Sequence, residues 1–347
     1  MPISSTFDPA PTGVTGQGSS VSNREDLLDV LTILAPEETP VLSSSGKSRA
    51  QSTFVEWTVD SLDAVSTDGV SEGEDVTSFS DKFAKRARLG NYIQKFRKDY
   101  LVSDLQEAVD SVGPARIAQA EAKAIREIKR NIEATIISSN EMQAETGTGS
   151  PYKLRGLGKW LQSTAQGTNP VPSDFLTPST SIHAASSFTE TNLNTMITSI
   201  YRKTGSTNSL TLIADTALRR QVTDFARFGT AVPALDASSN AQAAFTPSLR
   251  QVSYPGGSAE IRLSVELYQS DHGVVSVVNM NPDCATDTTN QDTGLLINPE
   301  YFGISELIPM GSTRLPNLGG GERGFVDCAL TTLVYHPQAH GIINQSV

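Results

Sequence analysis

Two strand-like runs joined by a long polar excursion, with a long helix soon after them, restrict most what this chain can fold into. Phe54–Val59 (FVEWTV) and Tyr92–Arg97 (YIQKFR) alternate in polarity and carry aromatic and β-branched residues, the pattern of half-buried strands. The first half of the segment between and around them is acidic, with Glu56, Asp60, Asp63, Asp68, Glu72, Glu74 and Asp75. The second half, running into the return strand, is basic, with Lys82, Lys85, Arg86, Arg88, Lys95, Arg97 and Lys98. An excursion of this length has little apolar surface to bury and does not hold its shape alone. Segregated charge on an extended hairpin suits a partner molecule better than a small substrate, so the pattern predicts an assembly device.

The flanking segments read as helices. Ser22-Asn23-Arg24-Glu25 is a capping box that opens a short helix carrying Leu27, Leu28, Leu31 and Leu34, and Ala35-Pro36 stops it. A second box, Ser103–Gln106, starts a helix through Val112, and Gly113-Pro114 then breaks or kinks the chain. From Ala115 to Ser138 a narrow stripe of Ile117, Glu121, Ala124, Ile125, Ile128, Ile132 and Ile136 predicts a helix laid across a sheet, with Glu127, Arg130 and Glu133 on its surface. At ~1.5 Å per residue this is a rod of roughly 36 Å. A third box, Ser187–Glu190, opens a helix with Leu193, Met196, Ile197, Ile200 and Tyr201 on one face; the strand Leu210–Ile213 and a helix near Asp215–Phe228 follow. Further strands are expected at Ile261–Tyr268, Val274–Val278, Leu295–Ile297, Ile304–Ile308 and Val326–Tyr335. The order gives an α+β class, with helices on mixed or antiparallel sheets; no internal repeat is visible.

Composition excludes several functions. With a net charge of −11, the whole surface lacks the basic footprint of a nucleic-acid-binding protein. No apolar run reaches the length of a membrane span, and the polar first 21 residues lack the pattern of a signal peptide. Cys284 and Cys328 stand far apart in no metal-binding context and are expected as free buried thiols.

Nothing rises to a catalytic signal, and no enzyme activity, metal or cofactor is expected. Gly46-Lys47-Ser48 lacks the first glycine of a phosphate-binding loop, which leaves Lys47 a solvated loop residue. Pro337 disfavours the helix that would bring His336 and His340 to one metal. Asp283, Asp287 and Asp292 lack the ligand spacing of a calcium loop. Phe83, Tyr92 and Phe96 interleave with the basic residues as on a nucleic-acid strip, but the acidic half of the same excursion competes for those cations. Charge pairing within the hairpin or between subunits is the better reading.

The order of these elements resembles the major capsid proteins of tailed bacteriophages, which share the HK-ninety-seven-type fold. The residues most similar to that family are Asn23–Leu27, Pro36–Pro40, Glu56–Leu62, Glu72-Gly73, Asn91–Gln94 and Glu127–Glu133. The resemblance implies an N-terminal arm over residues 1–50, an extended two-stranded E-loop over 51–101, and a P-domain with a long spine helix over 102–185. It further implies an α/β A-domain over 186–310 and a C-terminal return to the P-domain over 311–347. On it, the chain self-assembles into hexamers and pentamers of an icosahedral or prolate head shell around double-stranded DNA, in a virion assembled in the host bacterial cytoplasm. An encapsulin-type compartment of the same fold is the alternative. Its partners are then further copies of itself, with scaffold, portal and decoration proteins; the lack of a long charged helix ahead of residue 22 points to a separate scaffold. Glu72, Glu74, Asp75, Lys82, Lys85, Arg86 and Arg88 are the expected inter-subunit contacts. Phe54, Trp57 and Tyr92 are the expected anchors of the loop base.

Overall fold

A computed structural model describes residues 36–108, 116–147, 149–207, 209–225, 251–254, 257–260, 266–284 and 293–344. The expected polar arm, the helix over Leu27–Leu34, the Gly113-Pro114 kink, Asp287 and Asp292 lie outside these residues, as does most of the strand expected from Ile261. In chain order the helices are α1 (Pro40–Ser44), α2 (Asp104–Ala108), α3 (Arg116–Ile137), α4 (Leu157–Trp160), α5 (Glu190–Thr204) and α6 (Thr216–Phe225). The strands are β1 (Gly46–Arg49), β2 (Phe54–Val59), β3 (Ala87–Tyr92), β4 (Gln94–Val102), β5 (Ile182–Ala184), β6 (Thr211–Ala214), β7 (Gln251–Tyr254), β8 (Gly257–Glu260), β9 (Leu267–Ser270), β10 (Gly273–Asn279), β11 (Gly294–Ile297), β12 (Phe302–Leu315), β13 (Glu322–Val334) and β14 (Gly341–Asn344). They form a four-stranded sheet in the order β1-β12-β13-β4, a six-stranded sheet in the order β5-β14-β11-β6-β10-β9, and the hairpins β2-β3 and β7-β8.

The four-stranded sheet takes α3 on one face. Along β4, Phe96 and Tyr100 are buried while Lys95, Arg97 and Asp99 are exposed, as the two-residue period of a strand requires. The isoleucine stripe of α3, at 128, 132 and 136, is wholly buried and joins Phe96, Tyr100, Val326, Cys328 and Leu330 in one core. The six-stranded sheet is buried on both faces. Leu212, Leu296 and Ile343 point toward the buried side of α5, formed by Leu193, Met196, Ile197 and Ile200. Their neighbours Ile213, Leu295 and Ile342 point into the core shared with α3. One sheet thus forms the middle layer between two sets of side chains. α5 is capped by Thr189, whose side chain accepts from Asn192 N–H, so the cap lies two residues beyond the expected Ser187. It ends on Gly205, whose φ of 72° closes the helix in the left-handed region that glycine tolerates.

Three expectations are corrected. The return strand is not one run over Tyr92–Arg97. Ile93 is buried and donates its N–H to the Thr53 carbonyl at 2.9 Å, dividing β3, which pairs with β2, from β4, which pairs with β13. Lys95, Arg97 and Lys98 therefore belong to the sheet and not to the loop. Second, Gly46–Arg49 is an edge strand, parallel to β12, and Lys47 pairs with Glu306 at 2.8 Å. Third, Glu133 is not on the helix surface. It is wholly buried, and its two carboxylate oxygens accept from the N–H groups of Val41 and Leu42 at 2.8 and 2.9 Å. α1 has no side-chain cap of its own at Thr39, so Glu133 caps it from 92 residues away. Burial pushes the Glu133 carboxyl up and the two backbone donors pull it down, the first effect prevailing.

The chain ends by returning to the middle layer, with β14 between β5 and β11. His340, just before it, is wholly buried; its Nδ1 accepts from Asn298 N–H at 3.2 Å, and its Nε2 faces the Tyr301 carbonyl at 3.3 Å. Only the neutral ring with its proton on Nε2 satisfies both contacts. Burial accordingly holds its pKa down, to about 4. A depressed histidine contributes stability that is fully present above the unfolded value near 6.5 and is lost as pH falls toward 4. The gap corresponds to about 3 kcal/mol. Urea unfolding at pH 7 and pH 4.5 should show the wild-type chain losing ~2–3 kcal/mol more over that interval than His340→Gln. Equal losses in the two proteins would remove His340 as the cause.

Candidate functional site

The segment that the fold leaves without a core is the loop from Asp60 to Arg86, carried by the β2-β3 hairpin. Its base is rigid for local reasons. β2 and β3 pair in register from Phe54↔Tyr92 to Val59↔Ala87. Gly90 stands opposite Glu56 in that ladder, and a Cβ there would sit 2.5 Å from the Phe54 ring, so only glycine lets that ring lie across β3. Phe54 in turn meets Tyr92 at 4.6 Å between ring centroids, and Tyr92 meets Tyr152 at 5.6 Å. Trp57 packs 5.7 Å from Trp160 and 6.4 Å from Tyr335. All three expected anchors thus pack against their own subunit.

Behind these rings lies a buried polar network absent from the sequence reading. Asn91, wholly buried, accepts from Arg155 N–H at 2.8 Å and donates to the carbonyls of Arg155 and Thr332 and to the Thr332 hydroxyl. Arg155, also wholly buried, donates through Nε to Glu141 at 2.7 Å and through Nη2 to the Thr168 and Asn169 carbonyls. Its guanidinium lies 4.6 Å over the Trp160 ring. Burial lowers the Arg155 pKa, and the Glu141 carboxylate opposes that shift. The signal available in advance was compositional: an asparagine inside a strand run and an arginine in a glycine-rich loop both sit where their type is uncommon.

Beyond the base, the loop has no helix or strand, and opposite charges hold its two arms together. Arg88 lies 3.6 Å from Glu56, Arg86 lies 3.0 Å from Asp60, and Lys82 and Lys85 lie 2.8 and 3.2 Å from Asp63. The hydrogen bond from Lys82, and then that from Lys85, holds the Asp63 carboxyl below the usual range. The four cations expected at a subunit contact are thus engaged by carboxylates of their own loop. Glu72, Glu74 and Asp75 pair with no cation among the described residues. Such exposed pairs contribute only ~0–1 kcal/mol each, enough to align two arms and not enough to bury anything. Leu62, Val65, Val70, Val76, Phe79 and Phe83 all stand at least 63% exposed. Six large apolar side chains exposed on one loop form the most unusual surface among the described residues.

The other candidate groups carry no site. His336 and His340 flank a three-residue turn, each against an aromatic ring. Asp283 pairs with Arg130. Among the described residues no three metal-binding side chains cluster, and no helix is long and apolar enough to cross a membrane.

The family model described as SU10 major capsid protein matches residues 11–346. No curated protein matches the chain in sequence. Among solved structures, the capsid of the cyanophage P-SCSP1u aligns over 98% of this chain and 99% of its own, at 12% identity and a TM-score of 0.59. The capsid of the native GTA particle aligns over 97% and 99%, at 12% identity and a TM-score of 0.57. That of Mycobacterium phage Adephagia aligns over 93% and 95%, at 12% identity and a TM-score of 0.55. At such identities the shared property is the fold, an HK-ninety-seven-like one of mixed helix and sheet.

Truncating Asn91 tests the loop base. Asn91→Ala leaves the buried Arg155 N–H without its acceptor, while the Thr332 hydroxyl still donates to the Arg155 carbonyl, at a cost of ~1–3 kcal/mol. The denaturation midpoint should fall accordingly, and tryptophan emission should shift to the red as Trp57 is released. A variant with unchanged stability and emission would show that the network does not hold the base.

Proposed function

We propose, for a chain that belongs to the SU10 major capsid protein family, the assembly route by which its copies make a shell. The protein is a structural subunit of a phage capsid, and the family match favours that shell over a compartment of the same fold. Hexamers and pentamers close into an icosahedral or prolate head, assembled in the host cytoplasm around a portal with the help of a scaffold, and double-stranded DNA fills it. A net charge of −11 suits a container loaded by outside work, because such a wall need not attract its genome. No enzymatic step belongs to this function.

The observation that carries the reading is the exposed loop. Residues 60–86 hold six apolar side chains that the described residues of their own subunit leave uncovered. Buried apolar surface stabilises by ~25 cal/mol per Å², so the loop's side chains are a source of binding energy once a second copy covers them. On this reading the part of residues 51–101 that precedes β4 acts as the E-loop, and the part of residues 1–50 that precedes β1 acts as the arm. The four-stranded sheet with α3 serves as the P-domain, and the six-stranded sheet with α5 and α6 as the A-domain. The boundary drawn at residue 310 falls inside the continuous strand β12, which belongs wholly to the four-stranded sheet, and the two sheets meet through a common core that includes Ile213, Leu295 and Ile304.

Replacing residues 61–85 by a short Gly-Ser turn separates fold from assembly. The variant should unfold within a few degrees of the full chain, yet sediment as monomers or small oligomers where the full chain, co-expressed with its genomic neighbours, forms closed particles by electron microscopy. Closed particles from the shortened chain, or a full chain that stays monomeric, would sink the proposal.

A further inference from the structure

Asp68-Gly69, on the outgoing arm of the long loop, is the single aspartate–glycine pair of the chain, and no asparagine–glycine pair occurs. Both residues are exposed and lie in a stretch, residues 61–70, without helix or strand. Val65 and Val70 beside them stand 95% and 81% exposed, so no packing fixes the backbone on either side. Gly69 has no conformational task of its own. Unlike Gly73, with its φ of 81°, it does not occupy the left-handed region. Apart from its two chain neighbours, nothing stands within 4 Å of the point where a Cβ would sit. Its N–H donates to no acceptor among the described residues.

The carboxyl group beside that amide is equally open. Asp60 and Asp63, on the same arm, are held by Arg86 at 3.0 Å and by Lys82 and Lys85 at 2.8 and 3.2 Å. Asp68 meets no cation among the described residues. Its partner is the Ser66 hydroxyl, which donates to Oδ2 at 2.8 Å and accepts from the Asp68 N–H at 3.1 Å. These two bonds fold the side chain back on its own main chain. A carboxyl group folded back in this way, next to an unengaged glycine amide, has the elements of a ring closure.

We propose that Asp68-Gly69 is a site of spontaneous covalent modification, where the free subunit isomerises to isoaspartate, and that assembly suppresses the reaction. The Gly69 nitrogen forms a bond to the Asp68 carboxyl carbon; its proton leaves with the carboxylic hydroxyl as water, and a five-membered succinimide closes. Water then opens the ring at either carbonyl. One opening restores aspartate, and the other routes the main chain through the former side chain. No oxidant, reductant or second reactant enters, and the product has the mass of the starting chain. Ring closure requires backbone rotations that a Cβ on the following residue hinders and that glycine permits. The other aspartates of the loop, Asp60, Asp63, Asp75 and Asp81, precede Ser61, Ala64, Val76 and Lys82, all of which carry a Cβ. The suppression rests on the reading of the loop as a contact between copies, because a covered loop cannot make those rotations. The modification then marks copies that stayed unassembled.

Two measurements test it. The chain expressed alone is kept in warm neutral buffer, digested after glutamate and mapped by mass spectrometry, with enzymatic methylation of isoaspartate as a second readout. An isomer of equal mass should accumulate at Asp68 at least tenfold faster than at any other aspartate of the loop. Gly69→Ala, for which the loop has room, should slow it tenfold or more without moving the unfolding midpoint. Asp68→Glu should abolish it, since its ring would need a sixth member. Ageing at Asp68 no faster than at the other aspartates, or a Gly69→Ala chain that ages like wild type, would overturn the proposal. The second measurement holds closed particles in the same buffer, where Asp68 should isomerise at least tenfold more slowly than in the free chain. Equal rates would overturn the suppression and leave the shell itself standing. A wild-type chain that never assembles would overturn the shell reading and the suppression with it, while the free-chain rates would still decide the chemistry.

Discussion

The isoleucines at 128, 132 and 136 recur every four residues, and a helix advances roughly 100° per residue, so they drift only slowly around α3 as it crosses β4 and β13. Removing any one of these buried side chains would open a cavity at the seam that joins the helix to the sheet. Most of the remaining structure is tied to the same helix. Glu133 holds α1 by its backbone, Arg126 reaches Glu37, Lys98 reaches Glu127, Arg130 reaches Asp283, and Glu121 meets Arg314 on β12. The exposed pairs among these contribute little individually. The buried carboxylate differs, because its loss would strand two backbone donors. α3 therefore sets where the start of the described chain and the sheet stand relative to each other.

Rigidity and exposure are divided sharply along the β2-β3 hairpin. Below Val59 and Ala87 the chain is fixed by rings, by a glycine that admits one of them, and by the Asn91–Arg155–Thr332 network. Above them only surface ion pairs, two turns and local side-chain hydrogen bonds hold it. A loop mounted this way keeps a defined direction of departure while its far end can adapt. That combination suits a contact which must form between many copies in slightly different settings.

Much of this was legible in the sequence because it rests on period and turn chemistry. The stripe of α3, the apolar face of α5, and the strands around Val275, Leu295 and Val326 follow from spacing alone. The unreadable parts depend on long-range geometry. Glu133 sits one residue from Ile132, at a position that a helical wheel assigns to solvent, and only the arrival of α1 from 92 residues away makes it an acceptor in the core. The run from Ala87 to Val102 has one continuous strand pattern; the choice to divide it at Ile93 comes from Thr53 and from the two different partners, β2 and β13. β1 and β14, four residues each, are defined by the neighbours they pair with and hardly at all by their own composition. The loop was legible as polar and charge-segregated, but the charge drew attention from its apolar members.

Those apolar members and the charges have separable roles. Asp60, Asp63 and Glu56 neutralise the cations of the return arm within one copy. A partner that covers the loop then has few bare cations to desolvate, and desolvating an unpaired charge costs several kcal/mol. Of the carboxylates left over, Glu72, Glu74 and Asp75 lie together at the tip, in a turn already closed by its own hydrogen bonds, while Asp68 and Asp81 make only local hydrogen bonds on the arms. Affinity can thus come from Leu62, Val65, Val70, Val76, Phe79 and Phe83, whose burial is indifferent to exact register. Orientation comes from three charges at one end. A loop with its cations unpaired would attract any acidic surface, whereas the charges this one leaves without counter-ions are all of one sign. That restriction lets a weakly structured segment select one receiving surface on copies of a chain that is itself acidic.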